Sequence, residues 1–251
     1  MNLPGMTIAF DNAPGLPGFP TLWGFAAVIH TPAHTVLFDT GSNGRVLLKN
    51  LAALDLPPES VDLLFLSHPH WDHIGGLDSF LEVNPRATVV VHEGFSQHLI
   101  QDLRAFYGEV RVVGPEPQLL APGLFSTGLL DSDPPEHGLI LDFDGMTAAI
   151  SGCAHPGMEQ IVERARAVLG KKVDWAIGGF HLMYADAAAI ARSVAALQSL
   201  GVDYVVPTHC TGDEAEAAFR RAYGERCLKG GVGRRIDFTQ WQNQEGASDA
   251  P

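Results

Sequence analysis

The sequence is short of positive charge: 16 Lys and Arg stand against 29 Asp and Glu in 251 residues, a formal net charge of −13. A field of that sign repels polyphosphate, so neither nucleic acid nor an anionic membrane is an expected partner. An anionic small substrate stays open where local metal charge dominates. Cysteine is scarce as well. Cys153, Cys210 and Cys227 are too few and too oddly numbered for a disulfide framework, which fits a reducing compartment and a cytoplasmic location. No apolar run reaches the roughly eighteen residues of a spanning helix, and residues 1–10 lack a basic stretch followed by a long apolar core. With 46% hydrophobic residues the chain can bury a substantial core. A single domain is expected over residues 1–241 with no linker, followed by a polar, disordered tail at 242–251.

What the sequence does have is a cluster of metal-ligand residue types behind an apolar strand. Residues 61–66 read as a buried strand because polar alternation is missing, and they lead directly into Ser67-His68-Pro69-His70-Trp71-Asp72-His73. Neutral imidazole and carboxylate suit borderline divalent metals. His68 and His70, two apart, leave an extended segment on the same face and reach one ion. Asp72 and His73 are adjacent, point differently and suit a second ion.

The rest of the chain repeats the arrangement. The strand at 35–41 ends in Asp39-Thr40-Gly41, and the strand at 147–151 runs into Gly152-Cys153-Ala154-His155. The strand at 173–177 leads to Gly178-Gly179-Phe180-His181, and that at 203–206 to Pro207-Thr208-His209-Cys210. Helices are expected at 45–54, 77–83, 95–107, 158–169 and 185–200. Three glycine-bordered histidines at equivalent strand ends read as ligands or substrate contacts. His30, His34, His92 and His98 sit in no cluster and read as ordinary polar residues. The segment 230–235 is read as a turn before a strand, with Arg234 or Arg235 open as an anion contact.

His68-x-His70-x-Asp72-His73 resembles the signature of the metallo-β-lactamase fold superfamily. The motifs at 152–155, 178–182 and 207–212, with Phe10-Asp11-Asn12 and residues 37–41, are similar to a branch named after a dihydropterin–ribofuranosylaminobenzene phosphate synthase. The resemblance implies a four-layer αββα sandwich, two mixed sheets with helices outside, and metals at one edge where strand ends converge. It implies that Asp39 orients a ligand histidine from behind. Cys153 stands where better-known relatives carry a bridging aspartate. A thiolate could bridge or ligate there, or Cys153 could pack while His155 serves as ligand, and His155 is preferred. His137 lies where hydrolases often place another ligand histidine, so it is an alternative ligand or substrate contact. Trp71 replaces a tyrosine common in the branch and is expected to line the pocket.

The expected centre therefore holds two divalent ions, zinc first with iron or manganese as alternatives. His68, His70 and His155 would hold one, and Asp72, His73 and His209 the other. The expected activity is hydrolysis of an ester-type bond of a small molecule, a phosphoester, lactone or thioester, by a metal-bridging hydroxide. Asp72 and His181 are the catalytic side chains, with His181 as substrate contact or proton donor. Transfer chemistry like that of the branch's namesake is the main alternative, and a ligand-sensing module that kept the fold is another. A cysteine nucleophile at Cys153 ranks below the metal reading, because His155 is wanted by the metal. A homodimer is compatible with the sequence.

Overall fold

Strands covered on both faces carry apolar residues at nearly every position, and alternate residues then serve two different apolar layers. The computed structural model describes residues 4–143 and 145–238, and its inner strands follow this rule. The first half runs β1 (Gly5–Phe10), β2 (Ala26–His30), β3 (Thr35–Phe38), α1 (Gly44–Ala53), β4 (Leu63–Phe65), α2 (Trp71–Ile74), α3 (Leu77–Val83), β5 (Thr88–His92), α4 (Gln97–Phe106) and β6 (Val110–Val113). The second half runs β7 (Gln118–Ala121), β8 (Leu124–Ser126), β9 (Leu139–Phe143), β10 (Met146–Ser151), α5 (Met158–Leu169), β11 (Trp175–Gly179), α6 (Ala187–Ser199), β12 (Tyr204–Thr208), α7 (Asp213–Tyr223) and β13 (Arg235–Asp237).

The strands form two mixed sheets, ordered β13-β1-β2-β3-β4-β5-β6 and β12-β11-β10-β9-β8-β7. Ala27, Ile29, Val36, Phe38, Phe65 and Val90 face Leu139, Leu141, Ala148, Ile150, Ile177 and Val206 in the layer between them. The intervening residues Val28, Leu37, Leu64, Val89 and Val91 pack instead on Leu47, Leu51, Phe80 and Leu103 of the helices outside. On the other flank Ile140, Ala149, Ala176 and Val205 meet Ile161, Leu197 and Phe219. The result is the expected αββα sandwich.

Pairing within β3-β4-β5-β6 and within β10-β11-β12 is parallel. The carboxyl ends of these strands therefore open on common edges, and residues 68–73, His155, His181 and His209 each follow such an end. β11 runs further than the expected 173–177, because Gly178 and Gly179 pair with Pro207 and Thr208 of β12. The hairpin of β7 and β8 and the helix α7 are additions to the sequence reading. α7 carries Asp213, Glu214 and Glu216 in its first turn and Arg220 and Arg221 in its last, the order its dipole favours. Asp144 and the tail expected at 242–251 lie outside the described residues. No described helix is long and apolar enough to cross a membrane.

Candidate metal centre

Beyond β4 the chain stays extended through His70, which caps α2, so that Asp72 and His73 fall in the first turn of a short helix. That switch aims the two pairs of donors differently. Behind them Asp39 is fully buried, with φ 56° in the left-handed region. It accepts the Ser67 N–H on Oδ1 at 2.7 Å, and on Oδ2 both the Ser67 hydroxyl at 2.7 Å and His73 Nδ1 at 2.7 Å. The Ser67 hydroxyl, having given its proton to Asp39, accepts from His68 Nδ1 at 2.9 Å. His209 Nδ1 donates to Asn12 Oδ1 at 2.7 Å, while Asn12 Nδ2 donates to the His209 carbonyl at 2.9 Å. These partners fix the same tautomer in His68, His73 and His209 and leave each Nε2 as a lone pair.

The lone pairs converge. His68 Nε2 is 3.2 Å from His70 Nδ1, and His155 supplies the third atom of that set. Asp72 Oδ2 is 3.6 Å from His73 Nε2 and 3.5 Å from His209 Nε2. Nitrogen and oxygen donors about 2.1 Å from a tetrahedral ion stand about 3.4 Å apart, so both sets have the spacing of a coordination shell. His155 Nε2 and His209 Nε2 are buried with no hydrogen-bond partner, as donor atoms awaiting a cation would be. The residues fit a divalent-metal centre.

Electrostatics agree with the donor chemistry. Burial pushes His68 and His70 down, with neighbouring histidines adding to it. Burial first, then His181, His70 and His73, brings His155 down to about 3. These rings are neutral and ready to ligate. Burial works against the Asp72 carboxylate, yet the His209 and His73 imidazoles beside it hold it at about 2. Burial likewise opposes charge on His73, but Asp39 and Asp72 raise it, so two carboxylates here call for a cation.

The loop carrying the second-half ligands is shaped by Glu136, which the sequence reading gave no role. Its fully buried carboxylate accepts the N–H groups of Gly152 at 2.9 Å, Cys153 at 3.0 Å, Ala154 at 3.2 Å and His155 at 2.8 Å. Gly152 is required by close approach, since a Cβ there would stand 2.1 Å from Ser67 Oγ. Cys153 is 4% exposed and its Sγ lies 3.3 Å from His73 Nε2, inside the donor cluster. Cys210 then Asp72 and Glu136, with burial, raise that thiol; a divalent cation reverses the sign of its surroundings.

His181 and His209 are left-handed like Asp39, with φ 52° and 49°. These are strained positions for residues with a side chain, gathered at the centre. His181 is exposed, with its ring 4.4 Å from His155. Trp71 is 63% exposed beside His70, and Trp23 lies against His209 with ring centroids 5.0 Å apart.

His137 is not where it was expected. Its Nε2 donates to the Leu66 carbonyl at 2.9 Å, its Nδ1 bonds Ser126 Oγ at 2.9 Å, and its buried ring stacks on Phe65. No nitrogen is left for an ion and no face for a substrate. It props β4 from between the sheets, while its neighbour Glu136 reaches the centre. Two of these partners lay within motifs already noted, Asn12 and Ser67, but nothing local marks Glu136.

The chain belongs to the metallo-β-lactamase superfamily, whose fold it has: the model of the metallo-beta-lactamase superfamily matches residues 24–209. Among curated proteins it is similar to the 7,8-dihydropterin-6-methyl-4-(beta-D-ribofuranosyl)-aminobenzene-5'-phosphate synthase of Methanocaldococcus jannaschii, 29% identical over 248 residues and covering 81% of this chain and 84% of the relative. Among solved structures it resembles Tm1679, described as a metal-dependent hydrolase of the beta-lactamase superfamily, with TM-score 0.76 and 23% identity over 93% of this chain and 98% of that one. The short form of human tRNase Z superposes with TM-score 0.65 at 16% identity, over 93% and 99% of the two chains. The two solved structures establish the fold.

Proposed function

We propose that the protein is an enzyme that hydrolyses an ester-type bond of a small molecule, a phosphoester, lactone or thioester, with two divalent cations, zinc first. The observation that carries this reading is the pair of buried, unpartnered nitrogens, His155 Nε2 and His209 Nε2, each in a separate donor set. Two such cations, when bound, supply Lewis acidity toward the scissile oxygen and a water that loses its proton near neutral pH.

The chain's own residues do the rest. His68, His70 and His155 hold one position, and Asp72, His73 and His209 the other. Asp72, kept ionised, is the carboxylate that takes a hydrogen bond from the attacking water and orients it. His181, exposed beside His155, gives a proton to the leaving atom. Trp71 and Trp23 flank the donors and offer exposed apolar faces to the substrate.

A second reading is bond formation of the kind named for the archaeal synthase, and the 29% identity to that protein favours it. Metal analysis by plasma mass spectrometry, followed by turnover of phosphodiester, lactone and thioester substrates, tests both. Near two equivalents of metal with hydrolysis supports the first reading. Metal with carbon–carbon or carbon–nitrogen bond formation and no hydrolysis replaces it with the second. A protein that takes up no metal removes both.

A further inference from the structure

Cys153 and Cys210 meet over the end of β11. The loops that leave β10 and β12 both fold across Gly179, where an added Cβ would stand 2.6 Å from Cys210 Sγ and 3.1 Å from Cys153 Cα. Glycine at that position leaves the two residues free to approach. Cys210 Sγ–H donates to the Cys153 carbonyl at 3.5 Å, and the two sulfurs and a His209 ring nitrogen all lie within 4.8 Å of one another. Both thiols are free and buried. The third cysteine, Cys227, lies apart: it bridges Val205 near the start of β12 and packs on the outer helical layer.

Two buried cysteines this close are either inert packing or a dithiol. Inert packing suits a sulfur among apolar carbons, whereas Cys153 Sγ faces His73 Nε2 at 3.3 Å and has His155 and His181 about it. His181 is exposed and its donor atom is within 4.8 Å of the Cys153 sulfur, so the way in for a small molecule is one side chain deep. Each loop also carries a donor nitrogen. His155 is two residues from Cys153, and His209 is next to Cys210. A bond between the sulfurs would tie the loop that brings His155 to one donor set to the loop that brings His209 to the other.

We propose that Cys153 and Cys210 form a reversible disulfide under peroxide, and that the bond weakens cation uptake at the centre. The second half rests on the reading that cations occupy the centre, and the disulfide itself does not. Peroxide oxygen bonds to the Cys153 sulfur as its O–O bond breaks, giving a sulfenic acid and one water. The Cys210 sulfur then displaces that hydroxyl, which leaves as a second water as the S–S bond forms. The two thiols are oxidised, the peroxide is reduced, and the thiol hydrogens end in the waters. Bonded sulfurs stand about 2.05 Å apart, so the two loops are pulled from the spacing that sets His155 and His209. The effect is reciprocal: a pair that weakens cation binding when bonded is itself protected by bound cation. Reversible pairs of this kind are the disulfides a reducing compartment tolerates.

Mass spectrometry of the metal-free full chain, after peroxide and then alkylation in denaturant, reads the bond without turnover. The expected result is loss of two hydrogens, a single alkylated thiol at Cys227, a linked Cys153–Cys210 peptide and full reversal by dithiothreitol. In Cys210→Ser the reaction stops at the sulfenic acid, which dimedone traps at Cys153. Zinc added before peroxide slows the bond, and the oxidised protein binds zinc about 10-fold or more weakly than the reduced one in competition with a chromophoric chelator. Three alkylated thiols, a link that includes Cys227, or oxidation of Cys153 straight to sulfinic acid overturns the inference. A disulfide that leaves zinc affinity unchanged overturns the switch. A reduced protein that takes up no zinc overturns the two-cation reading and the switch with it, and the metal-free arm tells that failure from a failure of the cysteine geometry. The wild-type chain carries the main readout, so a variant that fails to fold does not rescue the inference, and circular dichroism checks Cys210→Ser.

Discussion

Asp39 Oδ2 lies 2.7 Å from His73 Nδ1, and the same oxygen accepts the Ser67 hydroxyl that in turn holds His68. One buried carboxylate thereby orients a ring from each donor set, and the two positions share a support. Asp39→Asn keeps the shape but replaces an acceptor oxygen by an N–H₂ or reverses a hydrogen bond. Affinity for cations is expected to fall by about 10–100-fold at both positions. Competition with a chromophoric chelator measures it; a loss confined to one position would show that Ser67 transmits nothing.

Separate removal of each donor set gives a different signature. His68→Ala and His209→Ala are each expected to bind about one equivalent less metal than the wild type and to lose hydrolytic activity. Mass spectrometry of the native protein counts the ions directly. Full activity and full metal content in both variants would sink the proposed ligand sets.

Glu136 is expected to matter for stability as much as for chemistry. In Glu136→Ala four backbone N–H groups lose their acceptor, and each buried donor left unpaired costs about 1–3 kcal/mol. Water entering the gap recovers part of that, so a net loss of about 3 kcal/mol is expected, with Glu136→Gln in between because one acceptor oxygen remains. Denaturant unfolding measures the loss, and an unchanged midpoint in Glu136→Ala would show that the loop holds itself.

Stability should fall in mild acid because of His92. Burial pushes this histidine down to about 4 from an ordinary value of 6.5. The unfolded chain takes up the proton near pH 6.5 and the folded chain only near 4, so the stabilisation is complete above 6.5 and is lost across that window as pH falls. Between pH 7 and 5 this one group is expected to account for about 2 kcal/mol. Unfolding of the metal-free protein and of His92→Gln at the two pH values isolates it. Equal losses in the two proteins would exclude His92 as the source.

The donor atoms were legible because their chemistry is in the side chains and their spacing is local. Residues 68–73 declare themselves in six positions, and His155, His181 and His209 each follow an apolar strand. What holds the donors was not legible. Asn12 orients His209 from 197 residues away. Glu136 acts on backbone N–H groups, which every residue but proline possesses, so its partners carry no mark in the sequence. His137 drew attention for its residue type, yet the residue before it does the work at the centre, while His137, equally buried, stacks on Phe65. The left-handed backbone at Asp39, His181 and His209 is equally silent, since none of the three is a glycine.

The four N–H groups that converge on Glu136 also bear on how such a centre changes over time. The path of residues 152–155 is held by a carboxylate from another part of the chain, which grips backbone N–H groups and no side chain of the loop. A mould of that kind separates the shape of the loop from the identity of what it displays. Sulfur, oxygen or nitrogen can be exchanged at position 153 without touching these four bonds, so a substitution there changes what the loop displays and keeps the tether that shapes it.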